Sequence, residues 1–198
     1  MNQINEILNW LASGLMVPVI ILLILLFLSS LLLVGAFFGQ YLKHSKTAAT
    51  AKAAVAGITK DNVDTISERL PRKSKELVFI YMRKVLEEKE NLPEVQHLLT
   101  EFEIRADKDL GYSKMLAKLG PMLGLMGTLI PMGPALAGLS SGNIEQMSSN
   151  MQVAFATTVI GLFSAAVGFV TQQIKQRWYL ADMSNLEFVA ELLKENQK

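Results

Sequence analysis

The feature that most constrains this chain is where its charges are missing. All 19 Lys and Arg residues fall in two blocks, 43–118 and 175–198. No charged residue stands between Glu6 and Lys43, and between Lys118 and Lys175 the one charge is Glu145. A helix needs about 20 apolar residues to cross the hydrocarbon core of a bilayer. The first gap holds one such segment and the second holds two. The pattern predicts a three-span membrane protein with its basic residues all on one side, the cytoplasmic side by the positive-inside rule. The mean hydropathy of +0.30 agrees, because the apolar residues come in blocks rather than along amphipathic elements.

Other function classes lose support quickly. The net charge is +1 and there is no interleaving of basic and aromatic residues, so nothing points to nucleic acid. Cysteine is absent, which excludes disulfides, thiolate chemistry and Cys-based metal sites. The start of the chain does not read as a cleavable signal, since Glu6 precedes the first apolar run and no Lys or Arg does. It reads as a span with the N-terminus outside and Lys43, His44 and Lys46 as the cytoplasmic stop.

The expected organisation is all-α. Residues 1–14 form an outer segment and 15–42 the first span, flanked by Trp10 and Tyr41 as interfacial anchors. Pro18 sits near the start of that span, where a missing N–H costs little. Residues 43–93 form a cytoplasmic helical region. Asp61 or Asp64 could cap a short helix ending before Pro71. A second helix over 73–90 ends at Asn91 and Pro93. From 94 to 139 the periodicity predicts one long helix that starts in the cytoplasm and enters the membrane as span two. Residues 140–149 form the outer turn. Residues 150–198 form span three and a cytoplasmic tail, in which Tyr179, Met183, Leu186, Ala190 and Leu193 make an apolar stripe. That stripe can pack on the cytoplasmic part of helix two or on a neighbouring subunit.

Span two is rich in small and helix-perturbing residues. Gly120 and Gly124 form a G-x-x-x-G, a spacing that lets helices approach closely in lipid. Pro131 leaves the Gly127 carbonyl without its usual donor, and Pro134 does the same to Ile130. With Thr128 beside them, a polar spot at membrane depth is expected. Span three carries Thr157, Gly161, Ser164, Ala165 and Gly168 at three- and four-residue steps, with Thr158 next to that face. Gly120, Gly124, Gly161, Ala165 and Gly168 are expected to pack helices. Gly127, Thr128, Ile130, Pro131, Thr157 and Thr158 are candidates for lining an ion path. The competing reading is that each Thr bonds only to its own backbone.

Spans two and three contain no ionisable residue within their apolar segments. A proton relay normally needs one, so a partner would have to supply it. No hydrolytic constellation, nucleotide-binding loop or metal motif is visible, and His44 and His97 stand isolated. No enzyme activity, metal or cofactor is expected.

Two segments carry a family resemblance. Gly124-Leu-Met-Gly127-Thr128 and Ala154-Phe-Ala-Thr157-Thr158-Val-Ile-Gly161-Leu162-Phe163 together resemble the MotA/TolQ/ExbB proton-channel family, most nearly its three-span TolQ/ExbB branch. The resemblance implies a homopentamer in the inner membrane whose second and third spans line a pore. The pore would enclose a dimer of single-span partners like ExbD, TolR or MotB, whose membrane Asp carries the proton. Ion flow would drive rotation or another mechanical movement, with Thr128 and Thr158 beside that Asp. Three departures stand out: Val153 where the family pattern has Glu, Pro131 and Pro134 after the span-two Thr, and a shorter outer turn. They suggest a divergent branch, with an archaeal source as the expectation, and keep Na⁺ open beside H⁺, since hard cations prefer oxygen ligands. Two alternatives stand beside the motor subunit: a scaffolding membrane protein that conducts no ions, and a membrane enzyme.

Overall fold

The fold is that of a computed structural model, which describes residues 2–59, 63, 65–71, 74 and 76–196. Asp61, Asp64 and Lys73 lie outside the described residues. Among the described residues there are five helices and no strand: α1 Asn2–Val55, α2 Ile66–Arg69, α3 Leu77–Glu87, α4 Leu92–Ser140 and α5 Ile144–Asn196. Three of them, α1, α4 and α5, are long and apolar enough to cross a membrane. The protein is an all-α integral membrane protein.

The helix ends follow from local chemistry. Gly57 takes φ +69° just after α1, the left-handed geometry that stops a helix and that glycine adopts without strain. Asn91, expected as a breaker, acts as a cap instead: its Oδ1 accepts the Glu94 N–H at 3.4 Å. Pro93 then falls in the first turn, where its missing N–H is no loss. The connection between α4 and α5 is shorter than the expected 140–149. Gly142 turns the chain at φ +73°, and Asn143 Oδ1 accepts the Gln146 N–H at 3.0 Å. That cap starts α5 six residues before the expected position of 150. Pro18 also sits differently, inside the 54-residue α1 rather than near a helix start.

The chain divides into two compact units. The apolar unit comprises Met1–Ala36 with Tyr112–Gln172, and the polar unit comprises Phe37–Gly111 with Gln173–Lys198. In the apolar unit α4 and α5 run antiparallel. Val19, Leu23, Leu26 and Ser30 form the buried face of α1, and the ring of Phe27 lies 5.6 Å from that of Phe163. The rest of this stretch of α1 exposes large apolar side chains, Leu32 at 76% among them. Lipid makes such exposure free of the penalty that water would impose.

The polar unit has an ordinary water-soluble core. Phe79, Met82, Val85, Leu98, Phe102, Leu186 and Val189 are among its buried members. Phe102 sits between Tyr81 and Tyr179, edge-on to both, at 5.6 and 6.4 Å. The tail stripe of Leu186, Ala190 and Leu193 thus packs within its own chain, on Val95, Leu98, Leu99 and Phe102 of α4.

Candidate ion-pathway site

The α4/α5 seam of the apolar unit is built by glycine. A Cβ placed on Gly120 would lie 2.6 Å from the Gly161 carbonyl oxygen, and one on Gly161 would lie 2.6 Å from the Gly120 carbonyl oxygen and 2.8 Å from Gly124 Cα. Gly168 is equally tight, with Ala117 N and Leu116 Cβ at 2.7 Å from its added Cβ. Ala165 is buried and meets Gly120. All five residues read as packing positions therefore come together in one seam. The contacting atoms are mostly backbone, so no side-chain movement can make room.

The six path-lining candidates separate into two groups. Gly127 faces Thr157 so closely that a Cβ there would lie 2.6 Å from the Thr157 Cβ and Oγ1. Thr157 is 6% exposed and Pro131 is also buried. The structure thus places Gly127 and Thr157 against each other within the helix pair of one chain, with Pro131 buried as well. The cause is the missing Gly127 side chain, which gives Thr157 its slot. Thr128, Ile130 and Thr158 are only half-buried and keep accessible surface. Thr158 Cα stands 3.6 Å from a Cβ added to Gly124. Thr128 follows Gly124 by one turn, on the same helix face.

The hydroxyls settle their own protons locally. Thr128 donates to the Leu125 carbonyl at 2.7 Å and Thr158 to the Ala154 carbonyl at 3.1 Å. Thr157 donates to both Val153 and Ala154. A hydroxyl whose proton is already donated presents only lone pairs outward. Thr128 and Thr158 can therefore accept a hydrogen bond from a protonated carboxyl, or ligate a cation, but they carry no titratable proton. The chain remains helical through Pro131 and Pro134, and neither proline has an N–H for the Gly127 or Ile130 carbonyl.

The polar unit holds ionisable groups that the sequence reading passed over. Lys175 is 5% exposed and donates to Asp109 Oδ2 at 2.8 Å, while the Tyr179 hydroxyl donates to the same oxygen at 2.7 Å. Burial pushes the Asp109 carboxyl up, but the Lys175 and Tyr179 hydrogen bonds outweigh it and hold the group below its ordinary range. Burial, then the Asp109 hydrogen bond, raises the Tyr179 phenol. A signal existed. Lys175 continues the three- and four-residue steps of Gly161, Ser164, Gly168 and Thr171, and a charge on an inward stripe calls for a partner.

No curated protein matches the chain. The model of the MotA/TolQ/ExbB proton channel family matches residues 75–187. That stretch covers more than half of the chain and takes in α3, α4 and most of α5, with the half-buried Thr128 and Thr158. On the match, the three long apolar helices and the glycine seam, the chain is a multi-pass membrane protein belonging to the MotA/TolQ/ExbB proton channel family.

Proposed function

We propose that this chain is a subunit of an ion-motive-force-driven membrane motor, of the three-span TolQ/ExbB kind. Five copies surround two single-span partner helices that carry a membrane Asp, and H⁺ is the transported ion. The subunits lie in the inner membrane with the N-terminus outside and the C-terminus in the cytoplasm, and ion flow does mechanical work across the envelope. The observation that carries this reading is the pair Thr128 and Thr158. Each keeps accessible surface in the apolar unit and has an oxygen free to accept. Neither can bind a proton at membrane depth, so both suit a carboxyl supplied by a partner. The driving energy is about 2.3 kcal/mol per charge per 100 mV, and a few charges per cycle suffice to shift a packed helix pair.

The test is proton flux through the complex of chain and partner in liposomes. Thr128→Val and Thr158→Val together are expected to lower flux at least about tenfold, the cost of roughly 1.4 kcal/mol on the path. Each substitution keeps the side-chain volume and loses the acceptor oxygen. Unchanged flux in the double variant would remove the two hydroxyls from the mechanism. Flux that follows Na⁺ rather than H⁺ would change the ion and leave the architecture standing.

A further inference from the structure

The polar unit contains a cavity of about 230 Å³ that the pathway reading leaves unused. It has room for several waters, each of which takes about 30 Å³ in the liquid. Its walls come from four places in the fold: Lys43 and His44 of α1, Glu76 just before α3, Asp109 of α4, and Lys175 and Asp182 of α5. Two of the three carboxylates are matched. Glu76 pairs with Lys43 at 2.6 Å and Asp109 with Lys175 at 2.8 Å. Asp182 is 6% exposed, and among the described residues no donor or cation reaches its carboxyl.

The remaining neighbours do not supply the missing charge. The His44 ring lies flat on Trp178 with centroids 4.2 Å apart. Burial pushes its imidazole below the ordinary value, against the pull of Glu76, so it is neutral at neutral pH. Arg105 and Lys108 of α4 line a different cleft, which shares Leu77, Asp109 and Tyr179 with this cavity. Among the described lining groups the cavity is one positive charge short. A multivalent metal does not fit, since no three His, Cys, Asp or Glu among the described residues are placed to hold one.

We propose that this cavity is a proton-binding site, in which one proton from the adjoining water is held on the Asp182 carboxyl. An isolated buried carboxylate is costly, and a proton removes that cost. Burial first, and the Glu76 carboxylate second, raise Asp182 to about 7, so occupancy changes near neutral pH. The site lies outside the apolar unit and needs no partner chain, so it stands or falls apart from the motor reading.

The test is infrared spectroscopy of the full-length chain, without partner, in nanodiscs, with ¹³C-labelled aspartate. Ordinary Asp carboxyls titrate at about 3.9. The expected result is one protonated Asp band that persists above that range and disappears with a midpoint of about 7. The band is lost in Asp182→Asn and kept in His44→Gln. Glu76→Gln, which removes the like charge, shifts the midpoint to lower pH. Replacing sodium chloride by choline chloride leaves the wild-type midpoint in place. Titration of every Asp in the ordinary range overturns the proposal, as does a neutral-range band that survives in Asp182→Asn. A midpoint that falls in sodium relative to choline also overturns it, by making the ligand an alkali cation.

Discussion

The apolar and polar units bury their helices by opposite means. In the apolar unit the contact atoms of α4 and α5 are mostly backbone: Gly120 against Gly161, Gly124 against Thr157 and Thr158, and Gly168 against Ser113 and Ala117. Leucines and methionines of the same helices, such as Met122, Leu125, Leu129 and Leu162, point outward. In the polar unit the arrangement is inverted, with Phe79, Met82, Phe102 and Leu186 inside. The solvent explains the inversion. Lipid gives no reward for hiding a leucine, so close packing of small residues holds the helices. In water each buried large apolar side chain stabilises by about 1.5–3 kcal/mol. One helix, α4, obeys both rules along its length, changing from large to small buried residues as its surroundings change.

The largest effect expected from this contrast is in the polar unit. Phe102→Ala empties the space between Tyr81 and Tyr179 and should cost about 3–5 kcal/mol. Hydrogen exchange should show it as lost protection in α3 and the α5 tail, with the apolar unit little changed. Equal loss in both units would mean that they unfold as one.

Gly161→Ala comes next. Its methyl would meet the Gly120 carbonyl and Gly124 Cα, and overpacking against immovable backbone costs about 1–3 kcal/mol. Gly133→Ala is the control, because nothing lies within 4 Å of its added Cβ. It should be neutral or stabilise by up to about 1 kcal/mol. Thermal unfolding in nanodiscs checks both. A Gly161→Ala protein as stable as Gly133→Ala would refute the close seam.

The smallest expected effect is Asp109→Asn. It leaves the buried Lys175 without its counter-charge, but the Asp109 side chain is 45% exposed. Water can take its place, so the cost falls near the low end, about 1 kcal/mol. The pH dependence sharpens this. Asp109 is depressed, so its stabilisation is present above the ordinary carboxylate range and is lost as pH falls through its lowered pKa. Asp182 is raised to about 7 and acts in the reverse sense. Its contribution to stability falls as pH rises from about 4 towards 7. Asp109→Asn should flatten the acid side of the stability profile, and Asp182→Asn should flatten the near-neutral slope and stabilise above it. Denaturation across pH separates the two.

Much of this was legible in the sequence, and the failures have physical causes. The charge gaps marked three long apolar helices because membrane crossing depends on composition over some twenty residues. The Gly120, Gly124, Gly161, Ala165 and Gly168 seam was legible because small residues at helical steps have few other uses in lipid. The roles of Thr157 and Thr158 were not separable. They are neighbours about 100° apart on one helix, and only the opposite Gly127 decides which faces inward. The start of α5 was misplaced because the Glu145 and Gln146 side chains suit a turn and a first helical turn equally, and the Asn143 cap decides between them. Lys175 reads as an ordinary basic residue at the end of span three, and nothing in the sequence singles out Asp109. Their pairing depends on the register of α4 against α5, which no local pattern contains.

The most direct test of the central claim is native mass spectrometry of the tagged chain, co-expressed with its genomic neighbours and released in mild detergent. The expected mass is five copies of this chain with two copies of a single-span protein bearing a membrane Asp. A monomer, a dimer or a partner-free assembly of another order would contradict the motor reading and favour a scaffold that conducts no ions.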